Sequence, residues 1–133
     1  MEQRFPFDVD PTYQPLLLAW GVTRGRAAVE LSQDRLEARF GYVSLGTELS
    51  NIADARVTGP YKAHRAIGVR TSLTDRGLTF GSNTRGGLCI LFHRPVPGWG
   101  PTRFIRHPGL TVTVRDPEGL RQALVDRGLV PEA

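Results

Sequence analysis

Three histidines, His64, His93 and His107, one cysteine, Cys89, and thirteen carboxylates are the residues with which this chain could do acid–base, nucleophilic or metal chemistry. No histidine has a second histidine or an acidic residue three or four positions away, so the spacing that puts two zinc ligands on one helical face is missing. Cys89 and His93 would face the same side of a strand, but at ~3.3 Å per residue they stand about 13 Å apart, too far for proton transfer. Leu88, Ile90 and Leu91 surround the cysteine, and an apolar setting suits a core thiol better than a nucleophile. The carboxylates are scattered, and no pair of them stands in an apolar setting. Gly81–Gly87, with Asn83 and Arg85 inside it, lacks the lysine and the following helix of a phosphate loop. These residues call for no metal and no cofactor, and they form no catalytic constellation.

The basic residues are more suggestive. All seventeen except Lys62 are arginine, a side chain whose planar fork suits carboxylate or phosphate. Arg56, Lys62, His64, Arg65 and Arg70 fall within 15 residues, and Arg103, Arg106 and His107 form a second group beside Trp99. Converging, the two groups would make a shallow anion site with an aromatic wall, able to meet lipid headgroups or a phosphorylated partner. The net charge of +4 and the apolar and acidic residues between the cations argue against nucleic acid.

Short elements must position these residues. Glycine and proline total 25 of 133 residues, a frequency that favours many short strands over a few long helices. Residues 1–14 read as a polar, proline-broken arm, and Leu16 to Val22 as a first strand. Ala27–Leu31 and Arg35–Phe40 alternate around a Ser-Gln-Asp turn and predict a hairpin. Thr47 to Ala55 breaks the β pattern, with Ser50 or Asn51 able to cap a half-turn of helix. Val57 to Tyr61, His64 to Ser72 and Leu78 to Phe80 read as extended. Asp75-Arg76-Gly77 reads as a turn. Gly87 to Phe92 is apolar on both faces, the pattern of a doubly covered central strand. Pro95 to Thr102 carries three prolines and reads as a loop outside any ladder. Phe104 and Ile105 come before a break at Pro108-Gly109, and Leu110, Val112 and Val114 alternate. Then Asp116 caps, Pro117 starts and Gly128 ends a helix over 117–127 whose Leu120, Ala123 and Leu124 share one face.

The whole is one domain over 1–133, mostly β (a β-rich α+β fold) with six to eight strands and a closing helix. Its hairpin, its TELSNI half-turn, its AIGVRTS and GGLCILF strands and its closing LTVTVRDPEGLRQAL resemble small bacterial proteins with a pleckstrin-homology-like (PH-like) barrel. The matching residues at the end are Val112, Val114, Asp116, Pro117, Glu118, Leu120, Ala123 and Leu124. The resemblance implies two roughly orthogonal sheets with a helix over one open corner, and a domain that binds proteins, peptides or lipids. The expectation is a noncatalytic cytoplasmic module engaging a protein partner or itself. Its alternatives are a peripheral module for anionic lipid headgroups, using Arg56, Lys62, His64, Arg65, Arg70, Trp99, Arg103 and Arg106, and a small enzyme using a histidine in a barrel pocket. One cysteine and no signal segment suit a reducing compartment.

Overall fold

The structure is a computed structural model that describes residues 2–23, 25–71, 76–98 and 105–131. The described chain is mostly β: two sheets and a C-terminal helix. The first sheet is an antiparallel meander of β1 (Gln3–Pro6), β2 (Ala27–Leu31), β3 (Arg35–Phe40) and β4 (Val43–Glu48), in that order. The expected hairpin is β2–β3, with Leu31 opposite Leu36 and Ala27 opposite Phe40. Residues 3–6, expected as part of an arm, are instead strand β1, because they pair register-for-register with β2 from Gln3–Leu31 to Pro6–Ala28.

The second sheet has the order β5 (Ile52–Thr58), β8 (Gly87–Pro97), β9 (Arg106–Val112), β7 (Leu78–Gly81), β6 (Gly68–Thr71). All its pairings are antiparallel except β7–β9, which is parallel. The two sheets face one core. Val29, Leu36, Ala38, Phe40 and Leu45 meet Ile90, Leu88, Leu110, Val112 and Phe80, all fully buried or nearly so. Through the middle Phe40 stacks on Phe80 at a ring distance of 5.3 Å, and Phe7 tilts against Phe40 at 5.0 Å.

Two seams join the sheets. On one side the N-terminal strand runs past its own sheet: Phe7 bridges to Val114, Asp8 N–H donates to Thr113 O (3.1 Å), and Arg115 N–H donates to Pro6 O (2.9 Å). Ser82 and Asn83 donate from their side chains to Asp8 O, each at 2.8 Å. These buried polar groups are therefore paired, as burial requires. On the other side the expected half-turn is a 3-10 turn, Leu49–Asn51, leading straight into β5. Asn51, buried, donates to Arg94 O (3.0 Å) and Thr47 Oγ1 (3.2 Å) and accepts from Arg94 N–H (2.9 Å). Its amide acts as a surrogate strand for the stretch of β8 where the register to β9 is broken, between Leu91 and Val96.

That break corrects the reading of Pro95 to Thr102 as wholly loop. β8 continues through Pro97, with Val96 opposite His107 and Pro97 opposite Arg106. Pro95 falls inside the irregularity and Pro97 is the last residue of the strand, positions where fewer ladder donors are needed. Likewise Pro108 and Gly109 lie inside β9. Leu16 to Val22 is no strand: α1 (Gln14–Leu18) forms there, with Pro15 in its first turn, where a missing N–H costs nothing. The start of His64–Ser72 is also helical, α2 (Ala63–Ala66), and β6 begins only at Gly68. An added Cβ at Gly81 would fall on the Ala66 carbonyl oxygen, so glycine there lets α2 rest on β7.

The terminal helix α3 is Pro117–Asp126, one residue shorter than expected, with Asp116 accepting from Gly119 N–H at 2.9 Å. Leu120, Ala123 and Leu124 are buried, α3 packs on β5 and β8, and Gly128 ends it at φ 74°. Among the described residues no helix is long and apolar enough to cross a membrane.

Candidate binding face

The second sheet's register puts five residues in one row on its outer face: Arg56 (β5), Cys89 (β8), Thr111 (β9), Thr79 (β7) and Arg70 (β6). The rows on either side of it along the strands point inward, as strand alternation demands, with Val57 at the sheet edge still 43% exposed. One runs from Val57 through Leu88, Val112 and Phe80 to Val69, and the other from Ala55 through Ile90, Leu110 and Leu78 to Thr71. Cys89 is therefore not the core cysteine expected. β8 is central because it has a strand on each side, but only one of its faces is buried: Cys89 is half-buried and Leu91 is 38% exposed.

The two ends of the row are held alike in geometry but not in charge, since Arg56 is ion-paired with Asp54 and Arg70 is held by a backbone carbonyl. Arg56 Nε donates to Asp54 Oδ2 (3.1 Å), and Arg70 Nε donates to the Ile67 carbonyl (2.9 Å). Each guanidinium is thus anchored through its inner nitrogen, and among the described residues its two terminal nitrogens have no partner. Arg56 remains 74% exposed in its side chain. Four inter-strand steps of ~4.8 Å put the two anchored arginines about 19 Å apart. Between them Cys89, Thr111 and Thr79 are recessed and half-buried. Beside the row Leu91 leans over Gly109, where a side chain would collide with it.

Tyr61 borders the same face, its hydroxyl paired with Thr58 Oγ1 and its N–H donating to Thr84 O at 2.8 Å. Burial pushes its phenol above the usual tyrosine range, the Thr58 bond opposes that shift, and Cys89 adds a smaller upward push.

The sequence-derived cations do not gather at one point. Arg56 and Arg70 share a face but stand on its opposite edges. Lys62 is exposed at the start of α2. Arg106, exposed, sits at the other end of β9, five residues from Thr111 and so about 17 Å along the strand. Trp99 and Arg103 lie outside the described residues, as do the side chains of His64 and Arg65, the loop through Thr102, Phe104 and the first residue of the turn at Asp75. Of the other histidines, His93 is exposed on β8. His107 is buried on β9 and pairs through Nδ1 with Arg76 O (2.7 Å), where it holds a turn residue at φ 62°. Among the described residues no three His, Cys, Asp or Glu side chains converge as a metal site would need.

Two other concavities hold arginines already paired with carboxylates. The largest described cavity, ≈ 630 Å³, covers the outer face of the first sheet, where Arg39 meets Glu30 at 3.7 Å and Arg35 meets Glu37 at 4.0 Å. A second, ≈ 330 Å³, lies between the Asn83–Gly86 loop and the start of α3. Its Arg85 is held by Asp8 and lies 3.7 Å from Asp10. The Asp8 bond, with help from the charge of both carboxylates, raises the arginine further above its already high range. In the first of these cavities Glu30 meets Arg39 at its Nε too, but at 3.7 Å, an ion pair longer than the 3.1 and 2.9 Å hydrogen bonds that hold Arg56 and Arg70.

Comparison of the chain with family models, with curated proteins and with solved structures finds no match.

Proposed function

We propose that the protein is a noncatalytic module that binds a protein partner through the outer face of its five-stranded sheet. The observation that carries this reading is the pair of arginines anchored through Nε at both ends of a recessed row. Their terminal nitrogens, without a partner among the described residues, are pre-oriented donors, and pre-orientation lowers the ordering cost of an interface. Two sheets followed by a terminal helix over one side of the core support a PH-like reading of the architecture, and that class of domain binds proteins, peptides or lipids. A parallel β7–β9 pair and the order β5-β8-β9-β7-β6 are the particulars such a reading must accommodate. The single unpaired cysteine supports a reducing, cytoplasmic location.

The lipid alternative draws on the same two cations. At roughly 1 kcal/mol per cation near an anionic surface, Arg56 and Arg70 alone would supply about 2 kcal/mol, which is marginal for stable membrane residence. A protein partner that also fills the row between them gains more.

The test is size-exclusion chromatography with light scattering, alone and after mixing with soluble bacterial proteins. Wild type is compared with the double variant Arg56→Glu, Arg70→Glu. The expected result is a complex of defined mass, including a dimer of this chain, that the double variant loses while its unfolding midpoint is unchanged. A wild type that stays a monomer and retains no protein, or a complex indifferent to both substitutions, would sink the reading.

A further inference from the structure

We infer that the Arg56–Arg70 row receives an extended acidic protein segment that crosses the five strands, with one carboxylate gripped at each end. This rests on the binding-module reading and names the chemistry of the partner. The backbone positions of the two arginines stand about 19 Å apart, four strand spacings. An extended chain advances ~3.3 Å per residue, so about six residues cover that span. Six is even, and side chains alternate in an extended chain, so acidic residues at i and i+6 both point down at the sheet. Each carboxylate meets a fork whose inner nitrogen is already held, by Asp54 Oδ2 at one end and by Ile67 O at the other. The two outer nitrogens remain for a bidentate bond, the strongest geometry available to an arginine and a carboxylate.

The floor decides between ligand forms. Cys89, Thr111 and Thr79 are half-buried between the exposed arginines, so the row is lower than its ends. A flat bilayer touching both arginines would leave those groups out of reach. A helix has its backbone donors and acceptors paired internally, whereas an extended chain presents free N–H and C=O groups to the two threonine hydroxyls. At i+2 and i+4 the segment needs small residues, because the floor is shallow and Leu91 closes one flank.

The experiment uses the full chain and two labelled peptides of one composition, read by fluorescence anisotropy at low salt. One has the pattern Glu-Ala-Ser-Ala-Ser-Ala-Glu, and the other has its two glutamates three residues apart. The expected result is at least tenfold tighter binding of the i, i+6 peptide. Arg56→Gln and Arg70→Gln should each reduce it about tenfold and bring the two peptides level, with urea midpoints unchanged. Equal affinity of wild type for both peptides, or an i, i+6 affinity indifferent to Arg70→Gln, would overturn the inference. So would sedimentation of wild type with phosphatidylserine vesicles that both substitutions abolish while the peptides show no preference. If the peptides fail and the arginine-dependent protein complex of the preceding test persists, the geometry of the segment is wrong and the binding module stands. If that complex is also absent, the binding reading falls with it.

Discussion

Asn51→Asp replaces one nitrogen by oxygen at the clamp that holds β8 where its ladder to β9 is broken. Asn51 Nδ2 donates to Arg94 O at 3.0 Å and to Thr47 Oγ1 at 3.2 Å, and Oδ1 accepts from Arg94 N–H at 2.9 Å. The substitution keeps the accepted bond and removes both donors. Two neutral bonds net about 2 kcal/mol, and an ionised oxygen left facing the Arg94 carbonyl in a site only 5% exposed adds about 1–3 kcal/mol more. The expected loss at pH 7 is therefore about 3–5 kcal/mol. The carboxyl is forced toward its neutral form in the fold, so its folded pKa lies above its unfolded value of about 3.9. For such a group the stabilising contribution is present below the unfolded pKa and fades as pH rises through the folded one. Below about pH 4 the protonated oxygen can donate once again and recover about 1 kcal/mol or more. Urea unfolding followed by tryptophan fluorescence from pH 4 to 7, scored as variant minus wild type, cancels the other carboxylates. A gap that does not narrow toward low pH, or a variant within about 1 kcal/mol of wild type at pH 7, would refute the clamp.

Leu124 has no exposed surface and anchors α3 to the core, so Leu124→Ala should cost about 2–5 kcal/mol in the same urea assay. Gly81→Ala should cost about 2–3 kcal/mol or more, because the new methyl group would fall on the Ala66 carbonyl and must displace α2; a variant as stable as wild type would show that α2 does not rest on β7. The Tyr61 phenol is raised by burial, so its contribution is complete below the ordinary tyrosine pKa and is lost as pH rises through the folded value. Tyr61→Phe should accordingly flatten the alkaline limb of the stability–pH curve, measured by thermal melts from pH 9 upward. Cys89 should react with a thiol reagent in native buffer, more slowly than in denaturant but measurably, and Cys89→Ser should change stability by less than about 1 kcal/mol. Complete native protection of the thiol would restore the core placement.

Local pattern made several elements legible and left the pairing hidden. Alternation found β2, β3 and β7, and Asp116-Pro117 with Gly128 found α3, because each signal lies within a few residues of what it controls. The Ser50–Asn51 half-turn was visible too, but its purpose was not, since Arg94 lies 43 residues away. Leu16 to Val22 misread as a strand because a five-residue apolar run has no period of its own, and Pro15 was the overlooked sign of a helix start. Cys89 and Leu91 misread as covered because an apolar outer row on a central strand looks the same in sequence as a buried one. Reading His64 to Ser72 as extended puts Arg70 and Val69 on opposite faces. That Arg70 shares a row with Arg56 depends on four strand registers, one of them the parallel β7–β9 pair, and no spacing between residues 56 and 70 encodes it.

The seam at Phe7 sets an order on how the chain can come together. The partners of β1 in the first sheet, β2 and its neighbours, all lie within the first 48 residues. Asp8 is different: its carbonyl waits for Ser82 and Asn83, which follow 74 and 75 residues later, and Phe7 waits for Val114. Until β7 is made Phe40 lacks Phe80 to stack on, and until Val114, just past β9, is made the corner at Phe7 stays open. β1 is therefore among the last strands to be sealed, and a change at Phe7, Ser82 or Asn83 should delay the end of folding and leave its beginning untouched.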